Sequence, residues 1–230
     1  MTSRNEYGPW QQKDICFYCG ERADTRDHIP SKVILDEPYP ESLAVVPCCR
    51  RCNNGFSSDE QYSAVLIECI RVQSIDPHSM LRPKVKDIVD HSPALLQTVK
   101  KSVTVDLFGH LSIDEDDVRF KNFVIKLATA HIRYELSLLA IELRPSKISV
   151  MEVGIMSEDF KKTFFSPIQI NLLPETSSRQ MQSLMVSDDG RFFIPWMPYQ
   201  EGIYSYQVNP ETYEVRILIQ DFLAIQVLFS

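Results

Sequence analysis

Cys16-Phe17-Tyr18-Cys19 and Cys49-Arg50-Arg51-Cys52 are two thiol pairs with the same two-residue gap. Each C-x2-C forms a tight knuckle that aims two sulfurs at one point, and four thiolates suit a tetrahedral zinc ion. Such a site is structural, because no coordination position is left for water. Cys48 is an alternative to Cys49, but only Cys49 keeps the two-residue gap to Cys52. Free buried thiols are the plainer reading of the same four residues. Asp27-His28-Ile29-Pro30 lies between the pairs, and Asn53 follows the last cysteine directly. The order supplies a closed metal site for folding and an open site for chemistry.

The elements that must position these residues are short at first. Residues 1–14 form a loose polar lead, and 15–56 are turn-rich and cysteine-bearing. Ser57 and Glu60 have capping-box spacing, which predicts a helix from Ser57 to about Gln73. Tyr62, Val65, Leu66, Cys69 and Ile70 form its apolar side, so Cys69 reads as core. Pro77, Pro83 and Pro93 mark a boundary over 76–93, and Ser92-Pro93 opens a short helix to about Lys101. A hairpin follows around Phe108-Gly109-His110. Asp114 to Asp117 begin the longest helix, to about Leu143, with Phe120, Phe123, Val124, Leu127, His131, Tyr134 and Leu138 as its apolar stripe. From Lys147 on the pattern is of strands, at 148–155, 168–173, 181–186, 192–196, 203–208, 215–219 and 223–228. The expected division is a module over 1–75 and a second domain over 76–230.

The chain has 230 residues, 44% of them apolar, which is enough to bury a core. No apolar run is long enough for a membrane span, and the N-terminus lacks an apolar signal core. A cytoplasmic setting is therefore expected, where six cysteines imply metal or free thiols rather than disulfides. A net charge of −7 argues against coating nucleic acid by charge alone. It leaves room for a local positive rim, for which Arg22, Arg26, Lys32, Arg50 and Arg51 are the candidates. Arg119, Lys126 and Arg133 recur at heptad spacing, a stripe that suits a phosphate backbone or simply a solvated face. His131, on the apolar side of that helix, reads as a core histidine. Trp10 and Trp196 carry no readable role.

The motif over about residues 15–60 resembles the HNH, or ββα-metal, nuclease superfamily, in its four-cysteine branch of endonuclease VII-type resolvases. The run 40–54, with Ser57 to Glu60, also looks like stand-alone bacterial HNH proteins. Many of those carry an extra C-terminal domain, and some act in anti-phage defence. The resemblance implies an Asp-His pair on the first strand of a hairpin and an Asn that opens the next helix. Asp27 and Asn53 would then hold a catalytic divalent ion, and His28 would be the general base. Oxygen ligands suit Mg²⁺ or Mn²⁺, and an imidazole of ordinary pKa ~6.5 accepts a proton at neutral pH. Neighbours on a strand point to opposite sides, so a twisted strand end is needed to bring Asp27 and His28 to one cleft. The family's middle Asn is missing, with Ser42 or Ala44 in its place. Asp59 and Glu60 could assist metal binding, but helix capping explains them more simply.

The expected fold is α+β: a zinc-stapled ββα-metal (HNH) module, a helical segment and a β-rich C-terminal domain. The expected activity is metal-dependent endonuclease cleavage of DNA phosphodiesters. The C-terminal domain is left to bind substrate, a partner protein or a second copy of the chain. The alternatives are a non-catalytic zinc-stabilised nucleic-acid-binding or scaffolding module, and an HNH nuclease directed at RNA.

Overall fold

The computed structural model describes residues 14–114, 116–138, 143–176 and 178–230. The polar lead up to residue 13 (with Trp10), residue 115 in the predicted start of the long helix, and residues 139–142 at its predicted end lie outside them. The elements in chain order are β1 (Thr25–Ile29), β2 (Ala44–Cys48), α1 (Arg50–Val72), α2 (Pro83–His91), α3 (Pro93–Ser102), β3 (Val103–Val105), β4 (Leu111–Ile113) and α4 (Val118–Leu136). Then come β5 (Pro145–Glu152), α5 (Glu158–Phe165), β6 (Ile168–Ile170), α6 (Arg179–Ser183), β7 (Met185–Val186), β8 (Phe192–Ile194), β9 (Met197–Gln200), β10 (Tyr204–Asn209), β11 (Glu214–Ile219) and β12 (Leu223–Phe229). The fold is mixed α and β. It forms two compact units, Met1–Asn53 with Ile125–Ser230, and Asn54–Val124. These units part at places other than the 75/76 break expected from the prolines.

In the first unit β1 and β2 form an antiparallel hairpin, with Asp27 opposite Val46 and His28 opposite Val45. Its apolar face carries Ile29, Ala44 and Val46, which pack on Ala130 and Tyr134 of α4, with Phe17, Tyr18 and Tyr199 at the edge. Burying each of the larger side chains contributes about 1.5–3 kcal/mol. This packing is why the hairpin groups with residues 125–230. Arg133 reinforces it, donating from Nη1 to the carbonyls of Phe17 (2.7 Å) and Tyr18 (3.0 Å). Gln200 and Asp36 exchange two hydrogen bonds, which tie the segment after β1 to β9.

The rest of this unit is two antiparallel sheets, ordered β5-β12-β11-β10-β9 and β6-β8-β7. Every residue of β11 is buried, as befits a central strand. Met156, Phe164, Leu218 and Ala224 form a cluster between α5 and the larger sheet, with Trp196 against it. The first half of the strand expected over 181–186 is the end of helix α6. Ser178 caps it, its hydroxyl accepting from the Met181 N–H at 3.3 Å, and Met185–Val186 forms the short strand β7. The helix α5 and the strand β9 were not expected.

The second unit joins α1 from residue 54, α2, α3, the β3–β4 hairpin and the start of α4. Pro83 and Pro93 begin helices, where a missing N–H is harmless, so the proline-rich stretch is structured. At the β3–β4 turn Gly109 has φ +82°, a conformation that costs glycine little. Glu68 is fully buried and accepts from Arg71 and from the N–H groups of Leu81 (2.7 Å) and Arg82 (3.0 Å). Cys69 is core, its thiol pushed up to about 12 by burial. Among the described residues no helix is long and apolar enough to cross a membrane.

Candidate functional site

The four paired cysteines converge. The Sγ atoms of Cys16, Cys19, Cys49 and Cys52 all lie within 4.8 Å of one another. Local geometry explains each knuckle. Cys16 N–H donates to the Glu21 carbonyl (2.6 Å) and Gly20 N–H to the Cys16 carbonyl (3.0 Å). Gly20, at φ +78°, lets the chain fold back so that Cys16 and Cys19 face one point. On the second knuckle Cys52 N–H donates to Cys49 Sγ at 3.4 Å, so the sulfur also caps α1. Four soft donors at this spacing fit a metal ion, and the set suits zinc. Cys48 is outside the four-sulfur set but packs against it, buried with its thiol toward the Cys49 carbonyl (3.4 Å). Arg51 hydrogen-bonds to Cys19, and the thiols hold its guanidinium pKa above the ordinary value. Burial, then hydrogen bonds to Cys19 and Cys49, raise the Cys52 thiol.

The knuckle sets the position of Asn53. The helix predicted to start at Ser57 begins instead at Arg50, so Asn53 lies in its first turn. Asp24 makes this early start feasible, because its Oδ1 accepts the Arg50 N–H at 2.7 Å. From there Asn53 reaches back to β1, donating from Nδ2 to the Arg26 carbonyl (3.1 Å) and to Thr25 Oγ1 (3.3 Å). The amide of Asn53 thus touches the residue before the Asp27-His28 pair.

Asp27 and His28 lie inside the paired strand, not in a twisted strand end. Asp27 is 8% exposed and follows the inward face with Ile29, while His28 is half-buried and alternates to the other side. Asp27 Oδ2 accepts from the Tyr18 hydroxyl (2.6 Å) and pairs with Lys126 Nζ (2.8 Å). Its Oδ1 accepts the His28 N–H at 2.8 Å. In donor type Asp27 and Asn53 fit a hard divalent cation, but an ammonium already neutralises one carboxylate oxygen. Ser42 is exposed in the turn before β2, and Ala44 is buried opposite Ile29. Neither carries the amide of the family's middle position.

The basic stripe of α4 is not a surface for phosphates. Lys126 is 2% exposed and bound to Asp27 and to Ser31 Oγ (2.6 Å). Arg133 is buried on the Phe17 and Tyr18 carbonyls. Arg119 spans to Asp59 (2.9 Å) and Ser58 (2.7 Å) and lies 4.3 Å from the Tyr62 ring centre. Asp59 therefore holds α4 instead of capping a helix, and it also accepts from Asn122 at 3.1 Å. Heptad spacing aligned these three residues with the apolar stripe, so the face points inward. Arg50 and Arg51 are exposed beside the cysteine cluster. The Asp27–Lys126 pair was not foreseen. Its one signal in the sequence is that Lys126 shares a helix face with Phe123 and Ala130.

No protein-family model, curated protein or solved structure matches this chain.

Proposed function

We propose that the chain is an HNH-type endonuclease whose cysteine cluster holds a structural zinc ion and whose chemistry centres on His28. The observation that carries this reading is the reach of Asn53 from the first turn of α1 to the carbonyl of Arg26, the residue just before Asp27 and His28. The order of two strands and a helix, with a thiol knuckle before each half, supports it. His28 accepts a proton from the attacking water, a step that typically contributes ~10²–10⁴-fold. The water oxygen bonds to phosphorus as the bond to the 3′ oxygen breaks, leaving a 5′ phosphate and a 3′ oxyanion that takes a proton from bulk water. Arg50 and Arg51 present positive charge to the strand being cut. Asp27 and Asn53 would hold a Mg²⁺ or Mn²⁺ ion, which supplies Lewis-acid stabilisation of the charge on the phosphate when bound.

The test is nicking of supercoiled plasmid by the zinc-loaded chain with Mg²⁺ or Mn²⁺. Wild type is expected to cut, and His28→Ala to lose at least ~10²-fold of the rate. Full-rate cleavage by His28→Ala removes the histidine from its role. A second reading is a non-catalytic zinc-stabilised binding module, favoured by the closure of Asp27 against Lys126 and Tyr18. A wild type inert on plasmid, single strands and RNA would select that reading.

A further inference from the structure

We propose that Lys126 is an internal cation that competes with the divalent ion for Asp27, so that metal binding must displace or outweigh it. The inference rests on the endonuclease reading, because it takes Asp27 as an ion ligand. The ammonium is held on three sides. Nζ lies 2.8 Å from Asp27 Oδ2 and 2.6 Å from Ser31 Oγ, and 5.7 Å from the centre of the Tyr18 ring. The same Tyr18 donates its hydroxyl to Asp27 Oδ2 at 2.6 Å, so this oxygen has both lone pairs engaged. Oδ1 has one engaged, by the His28 N–H. A divalent ion on the remaining lone pair shares a two-oxygen group with a positive charge in a nearly dry site. Like charges so placed repel strongly, since the protein interior screens far less than water.

The site is complete without a metal. A carboxylate without a partner is costly when 8% exposed, and Lys126 satisfies it from a helix far away in the chain. A lysine on the apolar face of α4, next to Phe123 and Leu127, is rarely buried without a charged partner, and Asp27 is one. The role assigned to Lys126 is therefore positioning and metal gating through Asp27, with no contact to the reacting atoms.

The experiment measures Mn²⁺ binding to the zinc-loaded full chain by electron paramagnetic resonance of the free ion. Wild type, Lys126→Met, Ser31→Ala and Asp27→Asn are compared. Lys126→Met is expected to bind Mn²⁺ at least ~10-fold more tightly than wild type. Adding Asp27→Asn to it is expected to abolish the gain. Equal or weaker binding by Lys126→Met overturns the proposal, because the lysine then does not oppose the ion. If Lys126→Met does not fold, Ser31→Ala decides. It loosens the grip on the ammonium without unpairing Asp27, so tighter Mn²⁺ binding supports the proposal and unchanged binding overturns it. Mn²⁺ binding that Asp27→Asn removes, but that neither other variant improves, leaves the endonuclease reading standing without this inference. Absence of Mn²⁺ binding in every variant removes both.

Discussion

His131 lies fully buried between two tyrosines. Its Nε2 is 2.7 Å from the Tyr204 hydroxyl, and its ring stacks on Tyr206 at 3.8 Å between centres. Tyr206 in turn donates to the buried Glu135 at 2.5 Å. Burial, then the charge of Lys126, lowers the His131 pKa to about 3. The unfolded chain has a histidine of ordinary pKa ~6.5. Above that value neither state holds the proton. Below it the unfolded state binds a proton that the fold excludes, so stability falls as pH drops from ~6.5 and levels off near about 3. His131→Phe keeps the stacking but cannot titrate. Its melting temperature is expected to fall less than that of wild type between pH 7 and pH 5, by scanning calorimetry. Equal losses in both proteins would assign the acid sensitivity to other groups. The burial of His131 was legible from its place on the apolar stripe. The inward turn of Lys126 and Arg133 was not, because their partners at Asp27, Phe17 and Tyr18 are a hundred residues away in sequence, in round figures.

Among the elements, α1 shows how a cysteine knuckle and a helix start become one object. Residues 52–58 include Asn, Gly and Ser, all weak helix formers, so local propensity delays the start to Ser57. Two contacts override it: the Asp24 carboxylate on the Arg50 N–H and the Cys49 sulfur on the Cys52 N–H. Neither is visible in a local window, since one partner is on the segment before β1 and the other depends on the knuckle. Four strands of the large sheet, β5, β10, β11 and β12, were legible because β-branched runs alternate with turns. β9 and α6 were missed for want of such a pattern, and Ser178 was not recognised as a cap. The choice of Cys49 over Cys48 has a direct test. Cys48→Ala is expected to keep about one zinc ion per chain after dialysis against a weak chelator, whereas Cys49→Ser is expected to lose it. Loss of the ion removes a binding free energy of roughly 10–16 kcal/mol, so Cys49→Ser should also lose its cooperative melting transition. Retention of zinc by Cys49→Ser with loss in Cys48→Ala would reverse the assignment.

For the molecule as a whole, the motif was readable and its support was not. The cysteine knuckles, hairpin and first helical turn occupy a stretch that reads as a self-contained module over 1–75. In the fold, that hairpin is covered by the far end of α4. Ile29 and Val46 pack on Ala130 and Tyr134, Arg133 ties down the knuckle carbonyls, and Lys126 neutralises Asp27. Residues 54–75 meanwhile belong to the other compact unit. A fragment of residues 1–75 would expose the hairpin face, leave Asp27 without its cation and leave most of α1 without its neighbours. Zinc alone would then have to order a chain too short to bury a core. The fragment is expected to show no cooperative thermal transition by circular dichroism, and to release zinc to a chelator much faster than the full chain. Sharp melting with zinc retention equal to the full chain would show that the module stands by itself, and that residues 125–230 serve something other than its support.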